Sequence, residues 1–321
     1  MDTPPAGHPQ HPAASAFPAP GAAGPPPVVL ARRADATVVR IGGTVAKAHA
    51  ADCDRAALGI RLRVAAHPLL RGILLAPLPA GDGPEPLLGT CPDGRPVSRW
   101  PHGTPVDPGD PAAAPWEAAG ELLARLHTVP VADLPGPLPP MRGPAGVARA
   151  LAAMRREARS PAAVRAVEAA AATLPGWARG EEPPPRADAL CHGDLHLGQF
   201  VRHPAPRGAW RLIDVDDLGL GDPAWDLARP AAWFAAGLLA PADFGRFLDA
   251  YRGAGGTALS GPGAEDRAAS ADPWPRLDAP ARALTVQTAA RALARAAAEG
   301  RGPDEVDRTL VDACSRIAQT R

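Results

Sequence analysis

Apolar residues along this chain follow two different periods. In the first third they come in short runs cut by turn residues: Val38-Val39-Arg40-Ile41, then Gly42-Gly43, then Thr44-Val45-Ala46-Lys47. Two β-prone runs around a two-residue glycine turn predict a hairpin. A helix is predicted over Asp52–Ala66, and strands at Gly72–Leu78 and Pro96–Trp100, the latter after a Pro-Asp-Gly turn. From Ala114 the period becomes helical. Trp116, Ala119, Leu122, Leu123 and Leu126 share one face of a helix that must stop before Pro130. Proline-rich linkers at 129–144 and 175–186 flank two alanine-rich helices near 145–158 and 161–174. Ala189–Cys191 is a short apolar approach to a loop, and Phe200–Arg202 with Trp210–Val215 predicts a second hairpin around His203–Gly208. Beyond Pro223 the chain reads as helix, with periodic segments at 241–252, 279–299 and 304–318.

The pattern divides the chain into a small β-rich section, 28–104, and a larger helical section, 105–321, with the connection near 100–105. Residues 1–27 hold nine prolines and almost no large apolar side chains, a composition that cannot bury enough surface to fold. Composition narrows the function classes. Formal net charge is zero, 34 basic against 34 acidic residues, so no overall field attracts nucleic acid or anionic lipid. Four scattered cysteines with no C-x-x-C pair fit reduced thiols better than a disulfide framework or a zinc site. No run approaches the roughly 18 apolar residues of a membrane span, and the N-terminus lacks the basic start and apolar core of a signal peptide. The expectation is a cytoplasmic protein without nucleic-acid or membrane partners.

The most informative stretch is His192-Gly193-Asp194-Leu195-His196-Leu197-Gly198-Gln199, followed by Ile213-Asp214-Val215-Asp216-Asp217. Two carboxylates and an amide oxygen around a cleft suit magnesium and a hydroxyl held for attack on a phosphate. Lys47 is the single lysine among 34 basic residues and stands in a strand-like run, so its retention reads as functional.

These residues resemble the aminoglycoside phosphotransferase family, the choline-kinase-like branch of the protein-kinase-like fold. The matching elements are His192-Gly193-Asp194, Gln199, Ile213-Asp214-Val215 and Gly221-Asp222-Pro223-Ala224-Trp225-Asp226-Leu227-Ala228. The His-Leu-Gly-Gln variant is also similar to maltokinase-type sequences. The resemblance implies an α+β, two-lobe fold and transfer of a nucleotide γ-phosphate, from ATP or GTP with Mg2+, to a hydroxyl of a sugar, antibiotic or other metabolite. It implies that Asp194 orients and deprotonates the acceptor hydroxyl. Gln199 and Asp214 would hold magnesium, and Lys47 would face the α- and β-phosphates. The inter-lobe connection, with Trp100 and His102, would meet adenine through backbone groups.

Beside these implied roles, His192 is expected to hold the loop, Asp222 to start a helix, and Asp226 to brace the loop. Asp216 and Asp217 are expected to be solvated loop acids rather than metal ligands.

The chain also departs from the pattern. Gln199 replaces the usual Asn, the helix after Lys47 offers no Glu (Asp52 or Asp54 would have to pair with it), and 30–35 lacks the glycines of a phosphate-covering loop. Those departures keep a nucleotide-binding module without catalysis as an alternative. The alternating His192, Asp194, His196, with Asp214, keeps a metal-dependent hydrolase as another. Leu227 to Arg321 holds 11 acidic residues against 12 arginines. Without an acidic surplus, a neutral or weakly charged acceptor is expected over a polycation.

Overall fold

The computed structural model describes residues 25–33, 36–81, 85–259 and 272–319, so most of the proline-rich tail lies outside the described residues. The chain divides into two compact units, one of residues 1–104 with 202–209, the other of 105–201 with 210–321.

The first unit is built on an antiparallel sheet of β1 (Val28–Arg32), β2 (Ala36–Ile41), β3 (Thr44–His49), β4 (Gly89–Thr90) and β5 (Pro96–Pro101), in the order β1-β2-β3-β5-β4. The expected β2–β3 hairpin runs from Ile41 opposite Thr44 to Ala36 opposite His49, and Gly42 supplies the positive φ (58°) that the tight turn needs. Alternation in β3 and β5 puts Ala46, Ala48 and Val97 into a small core with Cys91. Lys47 stands opposite Ser98 on the other face. Helix α1 (Arg55–Ala66) starts where the Asp54 carboxylate accepts the Ala57 N–H at 3.0 Å, and it buries Leu58, Leu62, Val64 and Ala65.

The strand expected at Gly72–Leu78 does not form; only single bridges occur, Arg71 with Leu74 and Leu78 with Arg99. Ile73, Leu74 and Leu75 are all buried in succession, so there is no alternation to make a sheet face. Pro77 and Pro79 then remove two ladder donors.

A short strand, β6 (Thr104–Pro105), stands at the chain's passage to the second unit. That unit comprises helices α2 (Trp116–His127), α3 (Gly143–Glu157), α4 (Pro161–Ala172), strands β7 (Ala189–Cys191) and β10 (Gly219–Gly221), and helices α5 (Ala224–Ala235), α6 (Pro241–Gly253), α7 (Trp274–Ala298), α8 (Glu305–Gln319); strands β8 (Phe200–His203) and β9 (Ala209–Leu212) each divide between it and residues 202–209 of the first unit. Four helices (α3, α4, α5 and α8) pack on α7. This burial from several sides explains why α7 is alanine- and leucine-rich around most of its circumference rather than on one stripe. It begins at Trp274, five residues before the predicted start, because its first-turn Pro275 has no N–H to lose. Helix α2 packs its predicted apolar face on α6.

The short strand β10 was not foreseen: Gly-Leu-Gly carries no period. It pairs antiparallel with β7, Cys191 opposite Gly219. The segment leaving β7 and the segment entering β10 therefore emerge at the same end of the ladder. The candidate chemistry lies there.

Candidate active site

The loop after β7 is fixed from beneath. The fully buried carboxylate of Asp226, in the first turn of α5, accepts the backbone N–H of His192 at 2.6 Å and that of Gly193 at 2.8 Å. His127 Nε2 lies 3.0 Å from the same carboxylate, and His127 Nδ1 lies 2.8 Å from the Tyr251 hydroxyl, which accepts the Ala258 N–H at 2.9 Å. These contacts tie the carboxylate through His127 to Tyr251 on α6. Burial alone would raise the Asp226 pKa, but the bond from His127, the nearby histidines and the Gly193 N–H outweigh it and hold the group below the usual carboxylate range. His192 is itself buried and bonds the Ile213 carbonyl through Nε2 at 2.8 Å. The ring holds the loop, as its sequence position suggested. Gly193 adopts φ +89°, and a Cβ there would stand 2.5 Å from the Asp217 carbonyl oxygen, so only glycine fits.

Asp194 follows this anchored pair and keeps a quarter of its side chain accessible. Its Oδ1 lies 2.6 Å from Arg229 Nη2 on α5 and 3.8 Å from Arg291 Nη1 on α7. Burial opposes its ionisation, yet the Arg229 and Arg291 guanidiniums prevail and its pKa is lowered. Arg229 also donates from Nε to the Leu195 carbonyl at 2.9 Å, so one buried guanidinium grips both the carboxylate and the backbone beside it. His196 Nδ1 accepts the Gly198 N–H at 3.0 Å. Burial, only partly offset by Asp194, pushes His196 down to about 4 and keeps the ring neutral near pH 7.

Gln199 and Asp214 sit on neighbouring segments, joined by the bond from Ile213 N–H to the Gln199 carbonyl at 2.9 Å. Asp214 is the one described non-glycine residue with positive φ (64°). That left-handed backbone is sparsely populated for a residue with a side chain. Both donors are oxygens, the hard ligands that magnesium prefers. Asp217 is turned toward Arg142, 3.6 Å away, and is raised by burial, which outweighs the opposing Arg142 charge; the nearby Asp194 charge adds to the rise. It is thus a half-buried bracing acid rather than the solvated one expected. Asp222 accepts the Ala224 N–H at 3.0 Å at the start of α5 and also pairs with Arg276 at 3.0 Å, which adds an ion pair to its expected role.

Lys47 belongs to the first unit, half-buried on β3. Asp54, one of its two suggested partners, has its carboxylate engaged in capping α1. The Trp100 indole is buried and donates to Ser98 Oγ at 3.0 Å, and the same hydroxyl bonds His49 Nε2 at 2.9 Å. The backbone N–H of His102 is taken by the Gly43 carbonyl at 2.8 Å.

Among the described residues, the zinc-like set His192, Asp194, His196 and Asp214 does not bring its ligand atoms to metal-binding spacing. Among the described residues, metal-ligand spacing occurs instead at His127, Cys191 and Asp226. There the histidine and carboxylate serve the loop brace.

Residues 30–269 match the family model for the phosphotransferase enzyme family. The chain belongs to that family. It is a phosphotransferase with the α+β, protein-kinase-like fold, and solved structures show the same fold at low identity. A thermostable mutant of aminoglycoside phosphotransferase APH(4)-Ia, in its apo form, aligns with a TM-score of 0.59 at 13% identity, over 92% of this chain and 95% of that one. The ternary complex of another mutant of that enzyme with AMP-PNP and hygromycin B gives 0.56 at 14%, covering 92% and 94%. A choline/ethanolamine kinase family protein from Mesorhizobium loti gives 0.52 at 19%, covering 91% and 93%. No curated protein sequence matches this chain.

Sequence reasoning missed Arg229 and Arg291. In a chain where 33 of 34 basic residues are arginine, no single arginine stands out. Their only sequence signal is position: Arg229 follows Asp226 by one helical turn and so points to the same side of α5.

Proposed function

We propose that this phosphotransferase moves the γ-phosphoryl group of ATP or GTP, with magnesium, to a hydroxyl of a small molecule in the cytoplasm. The observation that carries the reading is Asp194: a partly accessible, ionised carboxylate on a loop whose two preceding amides are pinned by a buried acid. Phosphoryl transfer asks the protein mainly for positioning and for charge stabilisation. Asp194 accepts the hydrogen bond of the acceptor hydroxyl and aims its oxygen at the γ-phosphorus. As the new O–P bond forms and the bond to the β-phosphate oxygen breaks, the hydroxyl proton passes to the Asp194 carboxylate and the nucleoside diphosphate leaves. With its pKa lowered, Asp194 orients more than it abstracts; the proton moves late, once the attacking oxygen has become acidic.

Gln199 and Asp214 would hold magnesium, which when bound neutralises charge on the phosphate oxygens. Lys47 is the first-unit residue that the same reading assigns to the α- and β-phosphates, where a compact ammonium suits better than a fork. The backbone around Trp100 and His102 is assigned to the base. With the His102 amide engaged, recognition there falls to other main-chain groups of the segment.

Magnesium-dependent nucleotide turnover with a panel of hydroxylated metabolites tests the proposal. Asp194→Asn should keep nucleotide affinity within a few-fold and lower turnover by about 10²–10⁴, the scale of a positioned acid–base group. Turnover close to that of the parent would remove Asp194 from the mechanism.

A further inference from the structure

The two carboxylate oxygens of Asp194 are not equivalent. Oδ1 accepts from Arg229 Nη2 at 2.6 Å and faces Arg291 Nη1 at 3.8 Å. Among the described residues Oδ2 accepts no hydrogen bond, and the group it faces is His196 Nε2, 4.0 Å away. That separation is too long for a hydrogen bond between them.

The His196 ring has a defined orientation. Its Nδ1 accepts the Gly198 N–H at 3.0 Å, so Nδ1 carries no proton and the proton of the neutral imidazole sits on Nε2. A Cβ at residue 198 would stand 2.8 Å from His196 Cε1 and 2.9 Å from Nδ1, so the glycine is what lets the ring lie against the turn. The backbone is tied on both sides. The His196 carbonyl accepts the Gln199 N–H at 2.8 Å, and the Leu195 carbonyl accepts Arg229 Nε at 2.9 Å. Both side chains remain partly accessible, 25% for Asp194 and 31% for His196.

An acceptor oxygen and a donor N–H thus face each other, neither bonded within the described residues at the atom concerned. One oxygen atom placed about 2.7–3.0 Å from each, the ordinary hydrogen-bond range, closes a triangle on the gap between them. A hydroxyl matches both partners. Its hydrogen suits Oδ2, and one of its lone pairs suits Nε2–H.

We propose that His196 is a second acceptor-binding residue, its Nε2–H holding the oxygen of the acceptor hydroxyl while Asp194 Oδ2 takes the hydrogen. The proposal rests on the phosphotransferase reading and makes it more specific. The acceptor's own carbon, the hydrogen and one lone pair account for three of the four directions about that oxygen. The remaining lone pair forms the bond to phosphorus, as the bond to the β-phosphate oxygen breaks and the hydroxyl proton passes to Oδ2. His196 therefore orients the nucleophile, and the cap it gives the following turn serves to aim its other nitrogen.

Two substitutions separate the two ring nitrogens. His196→Asn keeps an oxygen near the place of Nδ1, able to accept the Gly198 N–H, and removes the donor at Nε2. His196→Gln puts an amide N–H near the place of Nε2 and removes the acceptor at Nδ1. Magnesium-dependent release of ADP from ATP is measured on the full chain with water alone as acceptor, and with glycerol and glucose added. AMP-PNP affinity and melting temperature are measured beside it.

In the Asn variant kcat should fall about tenfold to a hundredfold, the scale of a misplaced reacting group. Its AMP-PNP affinity should stay within about twofold and its melting temperature should not move. The Gln variant should keep most of kcat and melt lower. Turnover in the Asn variant equal to or above that of the Gln variant would leave His196 a turn cap and overturn the proposal. Side-chain nitrogen NMR of the parent, with His196 assigned by the resonance lost in the Asn variant, should place the proton on Nε2; a proton on Nδ1 would overturn it as well. Absence of AMP-PNP binding and of ADP release from the parent would instead overturn the phosphotransferase reading beneath it.

Discussion

Asp226 receives hydrogen bonds from the His192 and Gly193 backbone and from His127 in a place without solvent, and Asp194 follows directly on the segment so held. Its carboxylate is shaped for donors on every side. Asp226→Asn should therefore cost about 1–3 kcal/mol, the scale for leaving a buried donor unmet, because one amide N–H of the new side chain must face a backbone N–H. The pH dependence has a definite sign. The folded pKa is lowered, so the stabilisation is fully present above the unfolded value of about 3.9 and is lost as pH falls through the folded value. Calorimetry should show parent and variant far apart at pH 7 and converging as pH falls through the folded value; a constant gap would mean the loss is one of packing. At Lys47, the arginine variant should recover only part of what the alanine variant loses in kcat/KM, because a fork cannot take the place of a compact ammonium. Full recovery would show that charge alone is needed. Sequence made the bracing role of Asp226 readable because motif spacing sets it against the His192–Gly193 loop. It hid Arg229 and Arg291, since what distinguishes them is which helix faces they share, and that is decided by packing.

The helices were legible to within a few residues because an apolar face repeats visibly. The crossing of α2 and α6 depends on something subtler. A Cβ on Gly120 would stand 2.3 Å from the Phe247 carbonyl oxygen and 2.8 Å from the Tyr251 nitrogen, so the backbones touch there. Gly120→Ala should destabilise by about 1–3 kcal/mol, as overpacking does, and should disturb the Tyr251–His127 contact behind the loop. Gly245, within α6, has open space around its Cβ position. Gly245→Ala should leave stability unchanged or raise it by up to about 1 kcal/mol through helix propensity. Chemical denaturation of both variants checks the contrast; equal effects would place no close approach at Gly120. The failure at Gly72–Leu78 and the omission of β10 have different causes. The first segment lacks alternation, with Ile73, Leu74 and Leu75 all buried, and meets Pro77; the second, three residues long, is too short for a period to form.

Charge at the scale of the molecule is balanced, 34 basic against 34 acidic residues, whereas folding sets arginines of α5 and α7 beside one carboxylate. The thiols show the same gap between composition and placement. Cys91, Cys191 and Cys314 are buried, and burial raises each, Cys314 to about 12, while Cys53 is partly accessible. Iodoacetamide at pH 8 should label Cys53 alone in the native protein and all four thiols in denaturant; mass spectrometry of the adducts would reveal any native labelling elsewhere. Asp226 has a consequence at this scale too. Residues 192 and 193 lie outside regular secondary structure, where amides ordinarily trade their protons with water within moments. Their N–H groups point at a buried anion that is itself tied to three helices through His127, Tyr251 and α5, so no small local opening can release them. In deuterated solvent they should therefore keep their protons as long as the centre of α7 does, making two loop amides a clock for the unfolding of the whole second unit.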